Sequence, residues 1–305
     1  RDLHSFPTRR SSDLWQNYDN QQRIDAVSDW ERLRKRIISY RNKRLFFNCL
    51  RNIAAILLPF FLAYQYVVQP VLNERSSPKE IITVTSAPGM VTKTILPDGS
   101  VVWLNAQSSL TYPQRFTEKE RAVKLSGEGY FKVVSDRKHP FNVQTPKGVH
   151  VSAYGTEFNV NAYASEKQSE VTLATGSVTV SSKGFFEGKI LKVGEKAVVC
   201  TRSGDITVSP TDTYVDTAWK DGKMVFRREK LDKIAEKLSR KFGVDIRLEG
   251  DRLTEYEYTA TFTDETLEAI LDLLKRSSPI TYSISRQKQL ENKTFTRREV
   301  TIKLR

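Results

Sequence analysis

Leu96-Pro97-Asp98-Gly99-Ser100-Val101-Val102-Trp103-Leu104, LPDGSVVWL, joins a turn to a strand, and its grammar repeats through the middle of the chain. Proline pre-sets φ at the second turn position and glycine takes the position that side chains avoid. Short β-branched and aromatic runs then follow one another: Val123-Lys124-Leu125, and Tyr130 to Val134. Val149, Val151 and Ala153 alternate with polar neighbours, as do Phe158, Val160 and Ala162. Val171 and Leu173, then Gly176, then Val178 and Val180 predict a hairpin. Ile190, Val193, Ala197 and Val199 continue the pattern. Many short strands between closely spaced turns, over residues 81–210, imply an all-β domain, either a β-sandwich or a β-helix-like stack of sheets.

The periodicity changes after Asp216. Met224-Val225-Phe226 predicts a strand, and Leu231, Ile234, Leu238 and Phe242 mark one helical face, stopped by Gly243. Val244, Ile246 and Leu248 alternate, as do Tyr256, Tyr258 and Ala260 up to Phe262. Thr263 or Asp264 is expected to cap a second helix, with Leu267, Ile270, Leu271 and Leu274 facing inward and Pro279 beyond its end. Strands around Ile280–Ile284 and Val300–Leu304 complete a β-α-β-β-α-β-β order. Residues 217–305 therefore form a small α+β domain.

Upstream, Ile53 to Val68 contains no charge, and only Gln65 and Gln69 interrupt the apolar run to Leu72. A helix needs about 20 mostly apolar residues to cross the hydrocarbon core. The span is assigned to residues 45–72. Arg32, Arg34, Lys35, Arg36, Arg41, Lys43, Arg44 and Arg51 precede it, whereas Glu74, Arg75, Lys79 and Glu80 follow. The asymmetry predicts an N-terminus inside and the bulk of the chain outside. A buried core helix would keep a polar stripe, absent from Ile53 to Phe61, and a signal peptide would end in a small-residue cleavage site. Within residues 15–44, Ile24, Val27, Trp30, Leu33 and Ile37 recur at helical spacing and predict an amphipathic helix leading into the span. Residues 73–80 are a polar linker. Residues 1–14, RDLHSFPTRRSSDL, lack either periodicity and look like translated vector or adapter sequence, a non-native leader outside the fold.

The formal charge of +13 is concentrated near the N-terminus: residues 1–51 hold 12 Lys/Arg against 6 Asp/Glu. This cluster marks topology and contact with anionic lipid. Elsewhere no basic run interleaved with aromatics suggests a nucleic-acid groove. The two cysteines, Cys49 at the membrane edge and Cys200 in the exported part, are badly placed to bridge, so the exported domains rely on apolar cores. No His/Cys cluster has metal-ligand spacing, and there is no G-x-S-x-G elbow or phosphate-cradling loop. Neither metal nor cofactor is expected. A membrane-anchored enzyme would have to use Glu128 with Asp136, or His139 near His150.

More specific are the ordered motifs LPDGSVVWLNAQSSLTYP (96–113), LSGEGYF (125–131), PFNV (140–143), YGTEFNV (154–160) and VGEKA (193–197). Together they resemble the FecR family of transmembrane anti-sigma factors. Gly129 stands where the family more often has alanine, and Val193 where proline is usual. From Trp219 onward the chain is similar to the C-terminal module of Bacteroidota-type members, akin to secretin/TonB short N-terminal domains. The resemblance implies an inner-membrane regulator, with most of the chain periplasmic. It would hold an extracytoplasmic-function sigma factor through its N-terminal segment. Its periplasmic part would receive a signal from a TonB-dependent outer-membrane transporter, in the control of iron or glycan uptake. Intramembrane and periplasmic proteases are further partners of such a regulator; nucleic acid is not. Family members carry a longer cytoplasmic region, of which only the piece around Trp30-Glu31-Arg32-Leu33 is recognisable here. In some of them the dipeptide matching Gly155-Thr156 cleaves itself, the threonine hydroxyl attacking the preceding carbonyl. Otherwise no turnover is implied. The readings from other classes are a membrane-anchored periplasmic enzyme and a component of an export assembly, the latter suggested by the C-terminal module alone.

Overall fold

The computed structural model describes residues 26–69, 80–117, 119–182, 188–287 and 296–305. The leader expected at 1–14, the start of the amphipathic helix and nearly all of the linker lie outside them. The chain divides into two compact units, Arg1–Pro78 and Lys79–Arg305.

In the first unit, helix α1 (Ala26–Ala63) runs into a π-helical turn at Tyr64–Val68. No glycine or proline occurs between Ala26 and Leu58 to break the hydrogen-bond ladder, so the described part of the amphipathic stretch and the start of the expected span run on as one helix. Pro59 removes one backbone donor within the helix, and the π turn follows it. Arg51–Val68 is the one stretch among the described residues long and apolar enough to cross a membrane. Its 18 residues span about 27 Å, close to the thickness of a hydrocarbon core. Trp30, Leu33 and Ile37 are exposed on this helix.

The second unit begins with a β-sandwich, which decides between the two all-β alternatives. The first sheet has the order β1 (Ile81–Thr85), β4 (Ser109–Pro113), β5 (Arg121–Lys132), β6 (Phe141–Gln144), β7 (Val149–Ala153), β10 (Val178–Ser182), β11 (Lys189–Leu191). The second has the order β2 (Thr92–Ile95), β3 (Val101–Leu104), β5, β8 (Glu157–Ala162), β9 (Gln168–Thr175), β12 (Glu195–Cys200), β13 (Ile206–Pro210). β5 and β6 pair in parallel, and the other pairs are antiparallel.

Strand β5 belongs to both sheets. Its first half pairs with β4 and β6, and its second half with β3 and β8. Gly127 makes the switch at φ +100°, where a Cβ would lie 2.4 Å from Ser108 Oγ. That hydroxyl instead accepts the Glu128 N–H at 2.9 Å. The predicted β9–β10 hairpin is not formed: β9 pairs with β8 and β12, whereas β10 pairs with β7 and β11. Gly176 (φ +84°) carries the chain across from one sheet to the other, a connection whose local sequence reads like a hairpin turn. Inward-facing residues of both sheets meet in a core where Phe131 stacks on Phe158 at 5.1 Å and touches Phe141 at 6.0 Å.

A short helix α2 (Thr213–Thr217) and a 3-10 turn (Ala218–Asp221) lead to the C-terminal module. Its order is β14 (Met224–Lys230), α3 (Leu231–Phe242), β15 (Asp245–Glu249), β16 (Glu257–Phe262), α4 (Leu267–Ser277), β17 (Ile280–Ile284), β18 (Glu299–Leu304). The expected order holds, but the strands form two sheets, β14–β16 and β15–β18–β17. Leu231, Ile234 and Leu238 of α3 and Leu267, Ile270, Leu271 and Leu274 of α4 are buried in one core. Gly243 closes α3 in the left-handed region. The cap of α4 is Thr266, whose hydroxyl accepts from Ala269 N at 3.2 Å, rather than Thr263 or Asp264.

Candidate functional site

The turn between β7 and β8 holds Gly155 and Thr156. Gly155 has φ +132°, and a Cβ there would sit 2.6 Å from Ser135 Cα. No other residue type fits that backbone. The 133–136 segment grips the dipeptide from both sides: Val133 N donates to Thr156 O at 3.0 Å and Asp136 N to Tyr154 O at 3.1 Å. Thr156 is 4% exposed, and its buried Oγ1 has no hydrogen-bond partner among the described residues. A buried hydroxyl left unbonded is costly and uncommon. Gly176 also stands against this turn: a Cβ on it would lie 2.6 Å from Thr156 Cγ2 and 3.1 Å from Gly155 O.

The two pairings weighed for an enzyme are not the ones the fold makes. Asp136 joins His139, Oδ2 to Nδ1 at 2.7 Å, and that hydrogen bond draws the carboxyl down to about 2. His150 lies on β7, opposite Gln144 and Ser181. Glu128 is buried on the outer face of the second sheet, where Asn105 Nδ2 and Asn159 Nδ2 donate to its two oxygens at 2.8 and 2.9 Å. Burial pushes its carboxyl above the usual range, against the pull of the two amides. A carboxylate held by two side-chain amides is a pin.

That pin continues into the C-terminal part. Asn159 Oδ1 accepts from the Trp219 indole N–H at 3.2 Å. Nearby, Asp216 takes Lys196 at 2.7 Å and Thr172 Oγ1 at 2.9 Å, fixing α2 to β9 and β12. Lys220 lies over the Tyr130 ring at 5.4 Å, and Tyr130 donates to Glu157, the residue after Thr156, at 2.7 Å. Arg240 of α3 pairs with Glu166 at 2.9 Å and covers Tyr163 at 4.2 Å. A cleft of about 590 Å³ lies beside these contacts, lined by Glu128 and Asn161 on the sandwich and by Lys233 and Lys237 on α3. Sequence reasoning singled out Glu128 but missed Trp219, Glu166 and Arg240 as its surroundings, because their convergence depends on how the two folded parts meet. Among the described residues no His/Cys/Asp/Glu group has the arrangement of a metal site.

Comparison with known proteins agrees with this architecture. The family described as "FecR protein" matches residues 82–179, and that described as "FecR, C-terminal" matches residues 223–295. Two crystal structures of a "putative anti-sigma factor" from Parabacteroides distasonis ATCC 8503 are similar. One, at 2.50 Å resolution, is 27% identical, covering 74% of this chain and 100% of that chain with a TM-score of 0.63. The other, at 1.65 Å resolution, is 28% identical, covering 72% and 98% with a TM-score of 0.62. No curated protein matches the chain in sequence.

Proposed function

The chain belongs to the FecR family of anti-sigma factors, and from that premise we propose that it carries a signal across the inner membrane to an extracytoplasmic-function sigma factor. One observation supports this most: a helix of spanning length precedes two folded modules that match the family's domains in the family's order. The exposed stripe of Trp30, Leu33 and Ile37 on α1 offers an apolar surface of the kind an amphipathic partner contact uses. The basic cluster before the span keeps that stripe on the cytoplasmic side. On the periplasmic side the C-terminal module is the receiver, taking the signalling domain of a TonB-dependent outer-membrane transporter by lending a sheet edge. The protein acts by binding, without turnover.

Deleting Trp219–Arg305 tests this reading. A reporter driven by the partner sigma factor should stop responding to the outer-membrane signal while the shortened protein still inserts. An unchanged response would remove the receiver role from the module.

A single self-cleavage at Gly155-Thr156 belongs to the same proposal. Thr156 Oγ1 attacks the Gly155 carbonyl, the C–N bond breaks as the C–O ester forms, and the amine takes the hydroxyl proton. Water then hydrolyses the ester, leaving a carboxylate on Gly155 and a free Thr156 amine. The positive-φ glycine and the unbonded, buried hydroxyl support it. Denaturing electrophoresis of the purified full-length chain should give two fragments, the second starting at Thr156, and Thr156→Ala should stay whole. An intact parent protein would leave the dipeptide as a turn.

A further inference from the structure

The sandwich and the C-terminal module have separate apolar cores that share no residue. Charge pairs and hydrogen bonds join them, together with Arg240 over the Tyr163 ring at 4.2 Å and Lys220 over the Tyr130 ring at 5.4 Å. Arg240 of the module meets Glu166 of the sandwich at 2.9 Å, and Lys233 lies 3.9 Å from the same carboxylate. At the linker the signs reverse, with Lys196 of β12 holding Asp216. The Trp219–Asn159 bond adds a neutral contact. One backbone bond also crosses, from Gly89 N–H, in the turn between β1 and β2, to Arg240 O at 3.2 Å. Gly89 lets the backbones approach, since a Cβ there would lie 2.6 Å from Lys241 O. The cleft leaves part of the two facing surfaces apart. Between the end of β13 at Pro210 and the start of β14 at Met224, a single segment connects the two parts.

We propose that this contact is a reversible, salt-sensitive joint, and that opening it frees Arg240 of α3, next to Lys233 and Lys237 that Glu236 and Glu229 of the module already pair, for an acidic surface of a partner. Polar contacts between domains give way to relative motion more readily than large apolar ones. Salt weakens charge pairs and strengthens apolar burial, so the sign of the salt effect separates the two kinds of contact. In the closed state Glu166 occupies the site that an acidic partner would take. The inference depends on this geometry alone and stands whether or not the transporter is the partner.

Hydrogen–deuterium exchange of the full-length chain in detergent micelles tests it, with the Gly89 amide as reporter and the amides of β5 and β8 as controls. Arg240→Glu should speed exchange at Gly89 by about tenfold while β5 and β8 keep their protection. Glu166→Arg combined with Arg240→Glu should restore slow exchange. Raising salt from about 50 to 500 mM should speed Gly89 exchange in the unmodified chain. Gly89 exchange that follows β5 and β8 in every sample, or that slows with salt, overturns the proposal. If Arg240→Glu unfolds the protein, loss of protection in β5 and β8 reveals it, and the salt series and the double variant decide.

Discussion

Arg121 Nη1 lies 2.8 Å from Asp98 Oδ2, with the two side chains only 5% and 13% exposed. The pair ties the Leu96–Gly99 turn to the start of the shared strand. Arg121 also donates to the carbonyls of Val134 and His139, and Asp98 accepts from Ser100. Removing one member of such a pair strands the other in a buried place, so Arg121→Ala should cost about 3–5 kcal/mol. Denaturant unfolding of the full chain in micelles measures it. Arg121→Lys should recover only part, because an ammonium cannot reproduce the three-way fork.

Glu128→Gln is expected to destabilise the protein at neutral pH by about 1–3 kcal/mol. Asn105 and Asn159 both donate to Glu128, and their own oxygens are held by Ala106 N and Trp219 Nε1. A glutamine amide must therefore set a donor against a donor. The pH dependence has a definite sign. Burial raises the Glu128 carboxyl above its ordinary 4.5. Its proton-linked stability is thus fully present below that value and is lost as pH rises through the folded one. The unmodified chain should lose more stability across this window than Glu128→Gln, which has no proton to release. Parallel slopes for the two proteins would contradict the assignment.

Gly176→Ala and Gly194→Ala form a matched pair. Both glycines have positive φ, +84° and +83°, but a Cβ on Gly176 meets Thr156 Cγ2 at 2.6 Å and one on Gly194 meets nothing within 4 Å. Each substitution carries the backbone cost, roughly 1 kcal/mol or more. Gly176→Ala adds the displacement of a buried threonine. It should melt at a lower temperature than Gly194→Ala, and any cut at Gly155-Thr156 should slow in the first variant only.

Cysteine labelling of intact cells checks the topology. Cys200 should react with a membrane-impermeant reagent, whereas Tyr18→Cys should react only after permeabilisation. In a protein that also carries Cys49→Ser and Cys200→Ser, labelling of Tyr18→Cys from outside would reverse the proposed orientation.

Strand and helix patterns were legible wherever burial alone decides them. The face of α3 from Leu231 to Leu238 and the order of elements along the C-terminal module follow from spacing alone, but not the division of its strands into two sheets. The hairpin expected at Gly176 was not legible, since a turn glycine looks the same whether the next strand pairs with the last one or crosses to another sheet. The Val123–Leu125 and Tyr130–Val134 runs appeared as two strands because Gly127 and Gly129 separate them, yet Val123–Leu125 and residues 130–132 lie in one strand, β5, which ends at Lys132. For the same reason Glu128 looked like an acid in search of a reaction. Its partners come from residues 23 and 31 positions away, at a spacing that no local pattern records.

The pairing scheme has a mechanical consequence for a chain severed after Gly155. Strands β1 to β7 would remain on one piece and β8 onward on the other, but β8 stays zipped to β5 and β10 to β7. Each piece supplies strands to both sheets, so the nick would leave an interlocked pair rather than two free products. Thermal motion would have to strip two β-ladders at once to separate them. A pull on the C-terminal piece would load those ladders directly, and the nicked domain would yield by losing one piece whole.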